Sequence, residues 1–397
     1  MSHTSAPAYT STTVGGASCD DLPLSGVRVI EFTHMVMGPA CGLILADLGA
    51  EVIKIEPPGG DKTRNLPGAG MGFFRAFNRN KKSVVLDIHS PEGHATALEL
   101  IAVSDVVLEN FRPGLMAKLG LDFQTLSSKF SRLIYVSHKG FLPGPYDHRL
   151  ALDEVVQMMG GLSYMTGPPG RPLRAGTSVN DIMGGMFGAI GVLAALRERD
   201  RTGRGQEVQS ALFENCALLS AQHMQQYVMS GESPPPMPAR RAAWSVYDVF
   251  TLADEEQLFI GAVSDKQFQT LCQVIERPDL AADPKLRTNA DRVKARPELL
   301  QQLGQTLIRH RIDELSAKLE AAGLPYAPIV RPEQLLSDPH LKQSGGLVPM
   351  QTDDGSTTDV VLLPIALGGR RFGVRHPLAR VGEHTDEVLS RLSSPSA

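Results

Sequence analysis

"VRVIEFTHMVMGPACGLILADLGAEVIKIE", residues Val27 to Glu56, decides the fold. Two short apolar runs rich in β-branched residues, "VRVIEF" and "EVIKIE", flank "PACGLILADLG", which ends in glycine as helices do. Strand, helix, strand in so few residues is a βαβ unit, and such a unit joins parallel strands. The pattern then repeats. "KSVVLDI" (82–88), "DVVLENF" (105–111) and "RLIYVSHKG" (132–140) read as three more strands. Between the first two of these, Ser90 stands as an N-cap, Pro91 at the first helical position and Glu92 in the first turn. Strands alternating with helices predict an α/β, Rossmann-like domain with a parallel sheet. The turn after the first strand, "THMVMGPAC", holds no G-x-G-x-x-G, so a dinucleotide cofactor is not signalled.

Beyond Gln206 a strand and a long helix, "EVQSALFENCALLSAQHMQQYVMSG", lead into the proline-rich "ESPPPMPARRAAW", a linker or exposed loop. Short strands ("YDVFTLA", "QLFIGAV") and amphipathic helices ("DKQFQTLCQVI", "PELLQQLGQTLIRH", "IDELSAKLEAAG") then predict a smaller α+β domain. The segment from Pro328 on carries short strands and a capped helix in "VGEHTDEVLSRL".

The chain has 397 residues, 42% hydrophobic and 21% charged, with a net charge of −4. That balance argues against nucleic acid or an anionic membrane as the partner. Cys19, Cys41, Cys216 and Cys272 are scattered without metal or disulfide spacing, so the expectation is free thiols, no metal and a cytoplasmic setting. Residues 1–21 are polar, lack the apolar core of a signal peptide and read as a disordered tail. The uncharged run Ile182 to Leu196 contains four glycines and reads as a buried core helix rather than a membrane span.

Asp181 is the lone acid before that run. As a residue preceding an apolar helix it reads as an N-cap. A carboxylate at a helix start, with glycines at 184 and 185 admitting a bulky ligand, also suits a nucleophile that attacks an activated carbonyl. Both readings stay open on the residues alone. His34 follows the first strand, where α/β sheets bind ligands. The basic stretch "NRNKKS" (78–83), with Arg64, Arg112, Lys118 and Lys139, reads either as a solvated face or as phosphate-binding. Asp153 and Glu154 are helical neighbours that face different ways, so no shared dyad is expected; one of them is expected to cap or point to solvent and the other to enter the site. Arg171 and Arg174 precede Asp181 and are candidates for a substrate carboxylate.

Taken in order, "LSGVRVIEFTHMVMGPACGLILADLGAEVIKIEPPGGDKTR", "FNRNKKSVVLDIHSPEG", "VLENFRPGLMAKLGL", "VNDIMGGMFGAIGVLAAL", "RTGRGQEV", "LPYAPI" and "GEHTDEVL" resemble the class III CoA-transferases, the carnitine-dehydratase/bile-acid-inducible family, from Leu22 to Leu392. The resemblance implies transfer of coenzyme A from an acyl-CoA to a free carboxylic acid. Asp181 would be the nucleophile, passing through a mixed anhydride and an aspartyl-CoA thioester. It implies no prosthetic group, with coenzyme A thioesters as substrates. It places His34, Met35, Val36 and Met37 along the pantetheine, Asn110 and Phe111 beside the nucleotide, and Lys118 and Lys139 as further contacts. It also implies an interlocked homodimer and a discontinuous large domain, 22–227 with 328–397, around a small domain at 228–327.

Departures narrow the reaction. The family's racemases carry His before Asp where this chain has Leu152–Asp153, and leucine is no general base. The formyl-CoA:oxalate enzymes carry a Gln where Val36 stands and a glycine loop where "MPARRAAWSVYDV" stands. The chain looks more like the branch pairing succinyl-CoA with dicarboxylates, and Arg149, Arg171, Arg174, Arg240 and Arg241 are candidates for the far carboxylate. The alternatives are 2-methylacyl-CoA racemisation, a hydratase-like role, or CoA binding without turnover.

Overall fold

The structure is a computed structural model that describes residues 22–240 and 243–392. The expected tail, 1–21, and Arg241 lie outside the described residues. The chain forms two compact units. One holds the described residues up to Pro238 and those from Pro339 on; the other is Ala239–Asp338. Both divisions fall 11 residues beyond the expected ones, at 238 against 227 and 338 against 327. The helix Leu212–Ser230 carries the large unit past 227, and the strand Tyr326–Pro328 belongs to the small unit's sheet.

The large unit is built on six strands: β1 (Arg28–Phe32), β2 (Glu51–Glu56), β3 (Lys81–Val85), β4 (Val106–Glu109), β5 (Ile134–Lys139) and β6 (Glu207–Ala211). All pair in parallel, in the order β3-β2-β1-β4-β5-β6. The helices that concern the site are α1 (Met37–Asp47), α2 (Pro91–Ala102), α3 (Leu115–Lys118), α4 (Asp153–Met159), α5 (Val179–Thr202) and α6 (Leu212–Ser230). Ser90 caps α2 as its sequence predicts, accepting from the Gly93 N–H at 3.0 Å. Sheet strands buried on both faces read as near-continuous apolar runs, which is why they were legible. One face packs Val29, Val106, Ile134 and Val136 against α1 and α5; the other packs Ile30, Ile53, Val107 and Tyr135 against α2.

Helix α5 is long and apolar enough by length and composition to cross a membrane. Here it packs on α1, β5 and β6. Its glycines make that approach: a Cβ at Gly185 would lie 2.7 Å from the Met37 carbonyl oxygen, and one at Gly188 would lie 2.5 Å from the His138 ring.

The stretch 78–83 is neither a solvated face nor a phosphate site. Asn78, Arg79, Asn80, Lys81 and Ser83 are buried. Arg79 pairs with Asp47 at 2.6 Å and Lys81 with Glu31 at 2.9 Å. Arg64 likewise binds Glu56 through Nε at 2.8 Å and Nη2 at 2.7 Å. These cations are consumed by buried carboxylates of neighbouring strands and helices.

The segment beyond Pro339 adds a hairpin, β10 (Leu347–Gln351) with β11 (Thr357–Val361), and then covers the outer edge of β3. Ser83 donates its N–H to His384 Nδ1 at 3.3 Å and Val85 to Thr385 Oγ1 at 3.1 Å. Asn80 Oδ1 accepts from the N–H groups of Arg375 and His376 at 2.7 and 2.9 Å. The final helix, Thr385–Ser390, has no side-chain cap: His384 holds the cap position, and its Nδ1 accepts from Ser83 on β3. The small unit is an antiparallel sheet, β7 (Val246–Thr251), β8 (Gln257–Ala262) and β9 (Tyr326–Pro328), backed by helices over an apolar core.

Candidate active site

In the order β3-β2-β1-β4-β5-β6 the topology reverses between β1 and β4, and ligands of open α/β sheets bind where their strands end at such a point. The chain leaving β1 makes a tight loop there. Met35 takes φ = 64°, a left-handed conformation uncommon for a bulky side chain. Asn110, just past β4, brackets His34: its Oδ1 accepts the His34 N–H at 3.0 Å, and its Nδ2 donates to the His34 carbonyl at 2.8 Å. The His34 ring stacks on Phe111 with centroids 5.7 Å apart. Burial lowers the His34 pKa, Asp61 opposing, so the ring is neutral at physiological pH.

A cavity of about 500 Å³ opens beside this loop, lined by His34, Met35, Met37, Asn110, Phe111 and Asp181 among others. The loop also walls a second cavity of about 430 Å³, which shares His34, Met35 and Phe111 and extends to Asp61, Thr63 and His89. Both are of the size that holds small-molecule ligands.

Asp181 lies in the first turn of α5 and is not its cap; Ser178 holds the cap position without a side-chain hydrogen bond. The cap comes from another helix. Asp153 Oδ2 accepts the N–H groups of Asn180 at 2.8 Å and Asp181 at 3.1 Å, while its Oδ1 accepts from Gln157. The donors that would stabilise an anionic Asp181 are thereby occupied. Burial, then the Asp153 charge, push the Asp181 pKa up to about 7, against a partial offset from Arg174. The carboxylate facing the cavity is therefore unusually basic. Glu154, Asp153's neighbour, is exposed. Arg174 lies between the two acids, 3.8 Å from Asp153 and 3.5 Å from Glu154.

The other expected residues divide. Lys139 and Arg149 line the Asp181 cavity. Lys139 sits 3.5 Å from Glu109, whose pKa burial raises. Val36 is buried and Lys118 is exposed on α3; neither is among the lining residues. Arg171 is exposed in a loop outside that lining, and Arg240 belongs to the small unit. Arg112, grouped in sequence with the basic residues, is a lining residue. Of the two neighbouring acids, Glu154 turns to solvent and Asp153 enters the site, as the sequence suggests; no local pattern signals that Asp153 caps a helix beginning some 25 residues later. One residue was missed. His138 lines the cavity, buried, with burial pushing its pKa down to about 4; the signal that could have found it is strand alternation, which puts it on the same face as the core residue Val136.

The pattern described as CoA-transferase family III matches residues 24–385. A succinate–glutarate CoA-transferase of Agrobacterium fabrum is 35% identical, covering 94% of this chain and 96% of that protein. A succinyl-CoA–D-citramalate CoA-transferase of Chloroflexus aurantiacus is 32% identical, covering 93% and 94%. The crystal structure of a CAIB/BAIF family protein from Brucella suis superposes with a TM-score of 0.86 at 32% identity, covering 94% of this chain and 99% of that one. The chain belongs to CoA-transferase family III and is an enzyme of that class.

Proposed function

We propose that the chain moves CoA from succinyl-CoA to a second carboxylic acid, a dicarboxylate or an analogue, with Asp181 as nucleophile. The observation that carries this is the Asp181 carboxylate itself. It faces a ligand-sized cavity, is relieved of capping by Asp153, and is basic enough to attack. An Asp181 oxygen adds to the thioester carbonyl carbon, the C–S bond breaks, and CoA leaves as thiolate. The resulting mixed anhydride is attacked at the Asp181 carbonyl by that thiolate. The donor acid departs as carboxylate and an aspartyl-CoA thioester remains. The acceptor carboxylate repeats these steps in reverse. One thioester replaces another, so the enzyme lowers barriers rather than driving an equilibrium. Met37, Leu152 and Leu212 give the cavity an apolar wall suited to an anhydride that water would destroy. Arg149 and Lys139 supply cationic groups for the far carboxylate. The second cavity, across the His34–Met35 wall, accommodates the nucleotide end of CoA.

The test is trapping. Wild type and Asp181→Ala are incubated with succinyl-CoA, quenched, and the Asp181 peptide is weighed with and without hydroxylamine. The expected result is an acyl or CoA adduct on wild type alone, with acids including glutarate, citramalate and oxalate then screened as acceptors. A wild type that binds CoA, forms no adduct and turns over unimpaired as Asp181→Ala overturns the assignment.

We also propose a homodimer, as the resemblance implies. On α5 the exposed Met186, Ile190 and Leu193 share one face, and on α6 Met224, Val228 and Met229 are exposed. A second copy is the expected occupant. Light scattering is expected to give twice the chain mass, and Ile190→Glu to weaken association; a monomeric wild type overturns this.

A further inference from the structure

Four successive backbone groups at the end of β1 are held by side chains. Asn110 takes the two of His34. The flanking two are taken by a buried relay from the opposite side. Lys54 Nζ donates to the Thr33 carbonyl at 2.6 Å and pairs with Asp61 Oδ2 at 3.0 Å. Asp61 Oδ1 accepts the Thr63 N–H at 2.8 Å, and Thr63 Oγ1 accepts the Met35 N–H at 3.1 Å. Lys54 and Thr63 are each 2% exposed and Asp61 is 7% exposed. The relay therefore closes a ring from Thr33 through Lys54, Asp61 and Thr63 to Met35, around a residue at φ = 64°.

We infer that Lys54, Asp61 and Thr63 are positioning residues for CoA transfer: they hold Met35 left-handed so that the wall between the two cavities presents the thioester to Asp181. The inference rests on the reading of Asp181 as nucleophile. A left-handed non-glycine residue is costly, and one hydrogen bond is worth an energy of the same order. Loss of the Thr63 acceptor is thus enough to repopulate other conformations at Met35. Such strain persists only where its surroundings over-determine it, and it gathers at functional sites. Met35 lines both cavities, so its backbone sets the path of any ligand that spans them.

The experiment compares Thr63→Val, which keeps the shape and removes the acceptor, with Thr63→Ser, which keeps the hydroxyl. Thr63→Val is expected to lower kcat for CoA transfer by roughly ten- to a hundredfold, because small misplacements at a reacting centre cost that much. KM for the acyl-CoA moves far less, and Thr63→Ser restores the rate. In a Met35→Gly background, where glycine takes positive φ freely, Thr63→Val costs much less than in wild type. Amide exchange of residues 33–37 is expected to quicken in Thr63→Val and not in Thr63→Ser, a readout that needs no turnover. If valine unfolds the chain, Thr63→Ala against Thr63→Ser is the pair. Unchanged kcat and exchange in Thr63→Val, or an equal loss in both Met35 backgrounds, overturns the inference. Failure of the Asp181 reading is seen separately, as a missing adduct in wild type.

Discussion

The two units solve the problem of a stable interior differently. The half of the large unit around β1, β2 and β3 buries Glu31, Asp47, Lys54, Glu56, Arg79 and Lys81, each no more than 2% exposed. The small unit's core is an apolar cluster that includes leucines, Ile260, Phe250 and Phe268, with Arg292 the one fully buried charge among its described residues. Apolar burial stabilises without fixing orientation. Buried ion pairs contribute little net stability but are intolerant of misplacement. The ionic half is the one that ends in the His34–Met35 loop. The chain thus places its orientation-demanding interior beneath the site and its non-directional interior in the small unit.

Breaking each interior should show the contrast. Glu56 holds Arg64 twice, accepts the Ser83 hydroxyl at 2.6 Å and accepts the Asp61 N–H at 2.8 Å. Glu56→Ala leaves the Arg64 guanidinium only Asp353 and the Ala379 carbonyl, deprives the buried Ser83 hydroxyl and Asp61 N–H of their acceptor, and is expected to cost about 3–5 kcal/mol in urea denaturation. Leu303→Ala in the small unit leaves a cavity and should cost about 3 kcal/mol. Acid then separates the two. The Glu56 pKa is lowered because, although burial raises it, Arg64 and Ser83 outweigh that; Glu51 falls to about 2 against its own burial through Lys82 and Arg28. Depressed carboxylates contribute stability above their unfolded value of 4.5, and that contribution is lost as pH falls through the folded value. The Glu56→Ala penalty should therefore shrink below pH 4.5, while the Leu303→Ala penalty holds.

A smaller effect concerns Asp153. With the Asp181 pKa raised to about 7, kcat/KM should fall as pH drops below 7, because the nucleophile takes up a proton. Asp153→Asn keeps an oxygen for the helix N–H groups and removes the like charge, so the acid limb should move to lower pH. An unmoved limb would show that burial alone sets Asp181. The smallest expected change is Ser264→Ala, which breaks the capping box with Gln267 and should cost about 1 kcal/mol of the small unit's stability.

The sheet is legible because both faces of its inner strands are covered, so apolar runs survive in the sequence even with Glu31 and Lys54 among them. The ionic layer was not. "NRNKKS" has the composition of a solvated turn, and what buries it is Asp47, more than thirty residues earlier, together with Gly373, Arg375 and His376, nearly three hundred later. Asp181 stood out as the one acid before an apolar helix, yet its cap reading failed because a residue 28 positions earlier, Asp153, had taken the helix donors. Proximity in sequence revealed elements; it did not reveal which distant side chain completes them.

The cover over β3 has a consequence for how the molecule is made. Val85 and Thr385 are 300 residues apart, and the whole small unit is synthesised between them. During translation β3 emerges early with its outer N–H groups unserved, and an open strand edge is a template for wrong pairing. A chain stopped after Gly369 would contain every sheet strand yet lack Arg375, His376, His384 and Thr385. It is expected to aggregate rather than fold, and pulse-chase solubility of ribosome-released fragments would show it. A segment made only after the small unit is the one that licenses a sheet begun before it.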